Sequence, residues 1–145
     1  VTAVIRPGDF PLAEMLEQEG CRVTVCPDAA KGMGVSLAHG VAQSRDAAGW
    51  IVALADMPRI RPETIARVAQ VLMAGADIVA PSYQGDRGHP VAFGRKFLQE
   101  LQLLTGDSGA RAIVQRNQAM VKLVDGDDPG VLLDIDRRTD LQRTA

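Results

Sequence analysis

Trp50-Ile51-Val52-Ala53-Leu54-Ala55-Asp56-Met57-Pro58 is the stretch on which the fold turns. Its run of apolar residues suits a strand covered on both faces, as in a parallel sheet. The run ends in a carboxylate and a proline, so Asp56 stands just past the strand's carboxyl end. In open α/β sheets, ligands bind outside those ends, near a switch in strand order. A helix follows. Pro62 suits its first position and Glu63 its positive N-terminal end. Ile65, Val68, Ala69, Leu72 and Met73 then recur with helical spacing, and Gly75 stops the helix.

Outward from this unit, strands and helices alternate. Upstream, residues 2–5 read as a strand, and residues 11–19 as a helix with Leu12, Met15 and Leu16 on one face and Gly20 at its end. Residues 21–26 form a second strand. The glycine loop Lys31-Gly32-Met33-Gly34 then opens a helix over about residues 35–44. Downstream, residues 77–81 read as a buried strand, 84–88 as a turn and 89–93 as extended. Helices are expected over 95–104 and 108–117, the second capped by Asp107-Ser108. Residues 120–124 and 131–135 read as the last strands, and Thr139-Asp140-Leu141 starts a final helix. The alternation predicts an α/β protein with a mostly parallel sheet.

Composition narrows the function. A chain of 145 residues points to one domain with a substantial core. Its 16 Lys and Arg against 18 Asp and Glu leave a net charge of −2, which argues against a nucleic-acid binder. A hydrophobic content of 46% argues against disorder. No stretch reaches the ~18 apolar residues of a membrane span, and no signal peptide is visible. Cys21 and Cys26 lie five strand steps apart, about 16 Å, beyond the ~7 Å of a disulfide. They read as small apolar residues of a reduced, cytoplasmic protein.

Several side chains carry chemistry. Magnesium takes one or two carboxylates and leaves its other positions to water and phosphates. Asp56 and Asp136 could share such an ion at one sheet edge. Asp56 also fits a turn or capping aspartate before Pro58. Asp134 and Asp136 also fit the solvated face of an alternating strand. The glycine loop offers first-turn amides to an anion or a base edge, and equally fits an ordinary loop before a helix. His89 lies in Gly88-His89-Pro90 without a visible nucleophile partner, which argues against a hydrolase triad. Trp50 and Met33 read as packing residues.

Taken in order, five segments carry a resemblance. They are Gly32-Met33-Gly34-Val35-Ser36-Leu37, Ala53-Leu54-Ala55-Asp56-Met57-Pro58, Gly88-His89-Pro90-Val91, Gly106-Asp107-Ser108-Gly109-Ala110-Arg111 and Asp128-Pro129-Gly130-Val131-Leu132-Leu133-Asp134-Ile135-Asp136. The chain resembles the MobA-like nucleotidyltransferases over residues 1–141, and within them the molybdenum cofactor cytidylyltransferase branch. The resemblance implies a three-layer α/β/α, Rossmann-like fold and magnesium-dependent transfer of CMP from CTP to a molybdopterin-type cofactor, releasing pyrophosphate. It implies Asp56 as the main metal ligand and Asp136 as the second, with Asp134 as neighbour or alternative. Gly34 and Ser36 would lie near the base. Gly88, His89 and Pro90 would line the side where the pterin enters, with His89 donating a hydrogen bond to the acceptor. A molybdoenzyme or chaperone partner would follow from the same resemblance. A guanylyltransferase of the same fold and a non-catalytic binding module are the alternatives.

The chain departs from the family pattern twice. Arg137-Arg138-Thr139-Asp140 stands where the family has Thr-Pro and an acidic residue. Nothing matches the opening strand and glycine-rich loop, whose Arg and Lys grip the triphosphate. The domain is therefore expected to be N-terminally incomplete. That strand would lie between the strand at 2–5 and the one at 50–55. Its absence would leave unpaired edges open to dimerisation and the isolated chain with little activity.

Overall fold

A computed structural model describes residues 1–137 and 139–140. The chain forms two compact units.

The first comprises Val1–Ala47 and Lys96–Gln118. Strands β1 (Thr2–Ile5) and β2 (Arg22–Val25) pair in parallel, Thr2 opposite Arg22 and Ile5 opposite Val25. Helix α1 (Phe10–Gln18) joins them. Gly20, at φ +79°, closes the helix, and the Cys21 amide donates back to the Leu16 carbonyl at 2.9 Å. The expected apolar face of α1 is not buried: Leu12 and Met15 are exposed. Helix α2 (Met33–Ala42) packs on β1, where a Cβ at Gly40 would stand 2.7 Å from Val4.

The two expected helices of this region are shorter than their periodicity suggests. Residues 95–104 divide into a 3-10 turn, Arg95–Phe97, and α4 (Leu98–Gln102). The next helix, α5, is Arg111–Arg116. Its cap residue is Ala110, not Asp107 or Ser108, which sit in a loop turned by Gly106 and Gly109 at φ +64° and +50°. Cys26 is buried and Cys21 half-buried, and both are free thiols.

The second unit comprises Ala48–Arg95 and the chain from Ala119. Its sheet holds β3 (Gly49–Val52), β4 (Ile78–Tyr83), β5 (Asp86–Arg87), β6 (Val91–Gly94) and β7 (Val121–Gly126). Helix α3 (Pro62–Met73) crosses from β3 to β4 and buries Val68 completely against Val79, Ala92 and Val124. Met73, expected on the same stripe, is 85% exposed.

The α/β reading holds, but strand pairing is mixed. β4 pairs with β7 in parallel, whereas β6 runs antiparallel to both β3 and β4. Gln84 and Gly85, at φ +52° and +89°, make a two-residue hairpin turn. So tight a turn can only return the chain antiparallel. β3, β4 and β7 still share one direction. β3 is an edge strand with Ile51 exposed, so the apolar run is not covered on both faces.

Residues 131–135 do not form a strand. Asp128 caps a one-turn 3-10 helix, Pro129–Leu132, by accepting from the Gly130 amide at 3.0 Å. Beyond it the chain is irregular to Asp136, because its amides serve this turn and the loop after β3 instead of a ladder. Thr139 and Asp140 are helical, and the rest of the expected final helix lies outside the described residues.

Candidate active site

Asp56 lies on a turn after β3, closed by the Met57 amide donating to the Leu54 carbonyl at 3.3 Å. A second segment, residues 128–136, is tied down beside it at three places. Asp128 is buried, and its carboxylate accepts from the Arg61 amide at 2.9 Å, from the Thr64 hydroxyl at 2.6 Å and from the Gly130 amide. The Val131 carbonyl accepts from the His89 amide at 2.9 Å. The Ile135 amide donates to the Asp56 carbonyl at 2.8 Å.

Two glycines allow the close approach. A Cβ at Gly130 would collide with the Arg59 carbonyl, and one at Gly88 with Val131. Both contacts are with backbone, which cannot move aside.

The result is an open cleft of about 250 Å³ with Asp56, Arg87, Gly88, His89 and Asp134 in its lining. Asp56 and Asp134 are exposed, and neither carboxylate is ion-paired among the described residues. His89 is half-buried, with Nδ1 buried and unpartnered. Its pKa lies below the usual 6.5, first because burial disfavours the imidazolium, then because Arg87 repels it. Asp56 pulls the other way. Asp128 is held below the usual carboxylate range: burial opposes ionisation, but Thr64, the Arg61 and Gly130 amides and the Arg61 charge outweigh it.

Of the residues expected from sequence, Asp56, Gly88, His89 and Asp134 line this cleft, with Pro90 buried next to His89. Asp136 is exposed and outside the lining. Gly34 and Ser36 lie in the other compact unit, on the first turn of α2. There the Gly34 amide is already committed, donating to the Gly106 carbonyl at 2.7 Å. Arg87 and Asp128 were not singled out from sequence. An Asp before Pro-Gly is a readable capping signal, whereas nothing local marks Arg87 as facing a cleft.

A pair of carboxylates with an open face fits an ion that keeps water and phosphate ligands. Among the described residues no three or more His, Cys, Asp or Glu side chains are grouped so as to hold a metal ion between them. No described helix is long and apolar enough to cross a membrane.

This is the fold of the Rossmann-like nucleotidyltransferases. A nucleotidyl transferase from Methanothermobacter thermautotroptrophicus superposes with a TM-score of 0.77 at 20% identity, covering 98% of this chain and 69% of that one. The chain belongs to the MobA-like NTP transferase domain family, whose pattern matches residues 1–121. It is similar to the Purine catabolism protein PucB of Bacillus subtilis, 34% identical over 115 residues. That match takes in 77% of this chain but only 55% of PucB, so the chain spans about half of that relative's length. Rv0371c from Mycobacterium tuberculosis is similar in structure, with a TM-score of 0.81 and 27% identity over 98% of this chain and 73% of its own. Rv0371c has also been solved in complex with manganese, with 26% identity, a TM-score of 0.80 and coverage of 98% and 74%.

Proposed function

We propose that the protein is part of a magnesium-dependent nucleotidyltransferase that moves CMP from CTP onto a molybdopterin-type cofactor and releases pyrophosphate. The observation that carries the reading is the cleft that gathers Asp56, Asp134 and His89. Asp56 would hold the metal together with Asp134, while Asp136 follows on the same tethered segment outside the cleft lining. A bound divalent cation would orient phosphate oxygens and stabilise their charge during in-line displacement. His89 is neutral at neutral pH and serves as a hydrogen-bond donor to the acceptor. Gly88 and Pro90 fix the direction from which it does so. Gly34 and Ser36 would meet the nucleotide base. The working compartment would be the cytoplasm, and a molybdoenzyme or its chaperone would receive the product. A second copy would add its strands at the ends of the two sheets, beside β1 and β3.

The test joins metal binding to turnover. Mn²⁺ titration of the 145-residue chain should give a site that Asp56→Asn weakens about tenfold or more, since even residues behind a metal ligand cost 10–100-fold. Unchanged Mn²⁺ affinity would remove Asp56 from the mechanism. With CTP, Mg²⁺ and molybdopterin, the 145-residue chain by itself is expected to release little pyrophosphate. Robust turnover would contradict that expectation, and product formed with GTP but not CTP would favour a guanylyltransferase.

A further inference from the structure

We infer that Arg87 is the anion-binding residue of the cleft and grips the phosphate monoester of the acceptor substrate; the assignment of that phosphate to the acceptor rests on the nucleotidyltransferase reading above. Arg87 is held at its base. Its backbone pairs with Ser82 of β4, the next amide, Gly88, donates to the Pro81 carbonyl at 2.8 Å, and the His89 amide is fixed on Val131. Its side chain is exposed, lines the cleft, and makes no hydrogen bond or ion pair among the described residues.

Asp56 and Asp134 line the same cleft, yet neither pairs with Arg87. One cation and two carboxylates line this open cleft without pairing with one another, so both kinds of charge are available to a ligand. The carboxylates suit a divalent cation, and the guanidinium suits an anion. A guanidinium presents two parallel N–H donors to a phosphate, a geometry that a point charge lacks. A monoester carries a charge of about −1.5 to −2 at neutral pH, which one guanidinium and one imidazole N–H can meet.

Phenyl phosphate titrated calorimetrically into the chain in EDTA tests the assignment. Wild type should bind it, and Arg87→Ala should weaken binding about tenfold or more, the scale of a charge-assisted pair. Arg87→Lys should recover part of the loss. Mn²⁺ affinity of Arg87→Ala should stay within about twofold of wild type, whereas a collapsed cleft would lose both ligands. No phenyl phosphate binding by wild type, or equal binding by wild type and Arg87→Ala, overturns the inference. Tripolyphosphate that binds more tightly than phenyl phosphate, and is lost in Arg87→Ala, moves Arg87 to the nucleotide and overturns the acceptor assignment. Asp56→Asn separates the two readings: failure of the metal site appears only in the Mn²⁺ titration, and failure of Arg87 only in the phenyl phosphate titration.

Discussion

The amide of Ile135 donates to the carbonyl oxygen of Asp56 at 2.8 Å, so the segment that carries Asp134 and Asp136 is anchored on the turn that carries Asp56. Two backbone segments distant in sequence are thereby held together without belonging to one strand or one helix, and Asp56 and Asp134 line the same cleft. The anchor is backbone to backbone, and side-chain substitutions at Asp134 and Asp136 leave it intact.

That arrangement separates the two acidic residues of the segment. Asp134 lines the cleft and Asp136 does not. Asp134→Asn should therefore weaken Mn²⁺ binding about tenfold or more, as expected for loss of a ligand. Asp136→Asn should change it less than about threefold. The reverse order in a Mn²⁺ titration would make Asp136 the second ligand.

Asp128 should be the most sensitive carboxylate for stability. Its removal leaves the Arg61 and Gly130 amides and the Thr64 hydroxyl without their acceptor. Asp128→Ala should cost about 3 kcal/mol in urea unfolding, on the scale of broken buried networks. Because its folded pKa is lowered, its contribution is present above the ordinary value of 3.8 and is lost as pH falls through the folded value. Acid unfolding of wild type should be steeper than that of Asp128→Ala between those two pKa values.

His89 should titrate below 6.5 when its ring proton is followed by NMR. Its folded state binds protons less readily than the unfolded chain. The associated stability is complete above pH 6.5 and declines as pH falls from there toward the folded pKa. Arg87→Ala should raise the midpoint by removing a repelling charge, and Asp56→Asn should lower it by removing an attracting one. Shifts of the opposite sign would mean that these side chains do not face the ring.

Gly130→Ala should destabilise by about 2–3 kcal/mol, because the new methyl meets the Arg59 carbonyl and the Ile60 amide nitrogen, at 2.9 Å from the latter. The same change should weaken phenyl phosphate and Mn²⁺ binding together, since it lifts the segment off the cleft. Wild-type stability in thermal unfolding would show that the segment has room to move.

Local chemistry in the sequence determined a large part of this protein. The bounds of β1, the Pro62 start and Val68 face of α3, and the turn after the first apolar run follow from periodicity, proline geometry and capping, which act over a few residues. Asp56 and His89 were legible as candidates because each stands beside a strand end or a turn. What needed the tertiary structure were relationships between distant segments. The residues expected as a strand at 131–135 became a capped turn because Asp128 reaches Arg61 and Thr64, and the Ile135 amide bonds to the loop after β3. The sheet became mixed because a two-residue turn sends β5 back antiparallel to β4, and β6 continues in that direction between β3 and β4. Asp134 was separated from Asp136, and Arg87 joined the cleft, only when these long-range backbone bonds formed. A side chain's local propensity is the same whichever distant surface it finally faces.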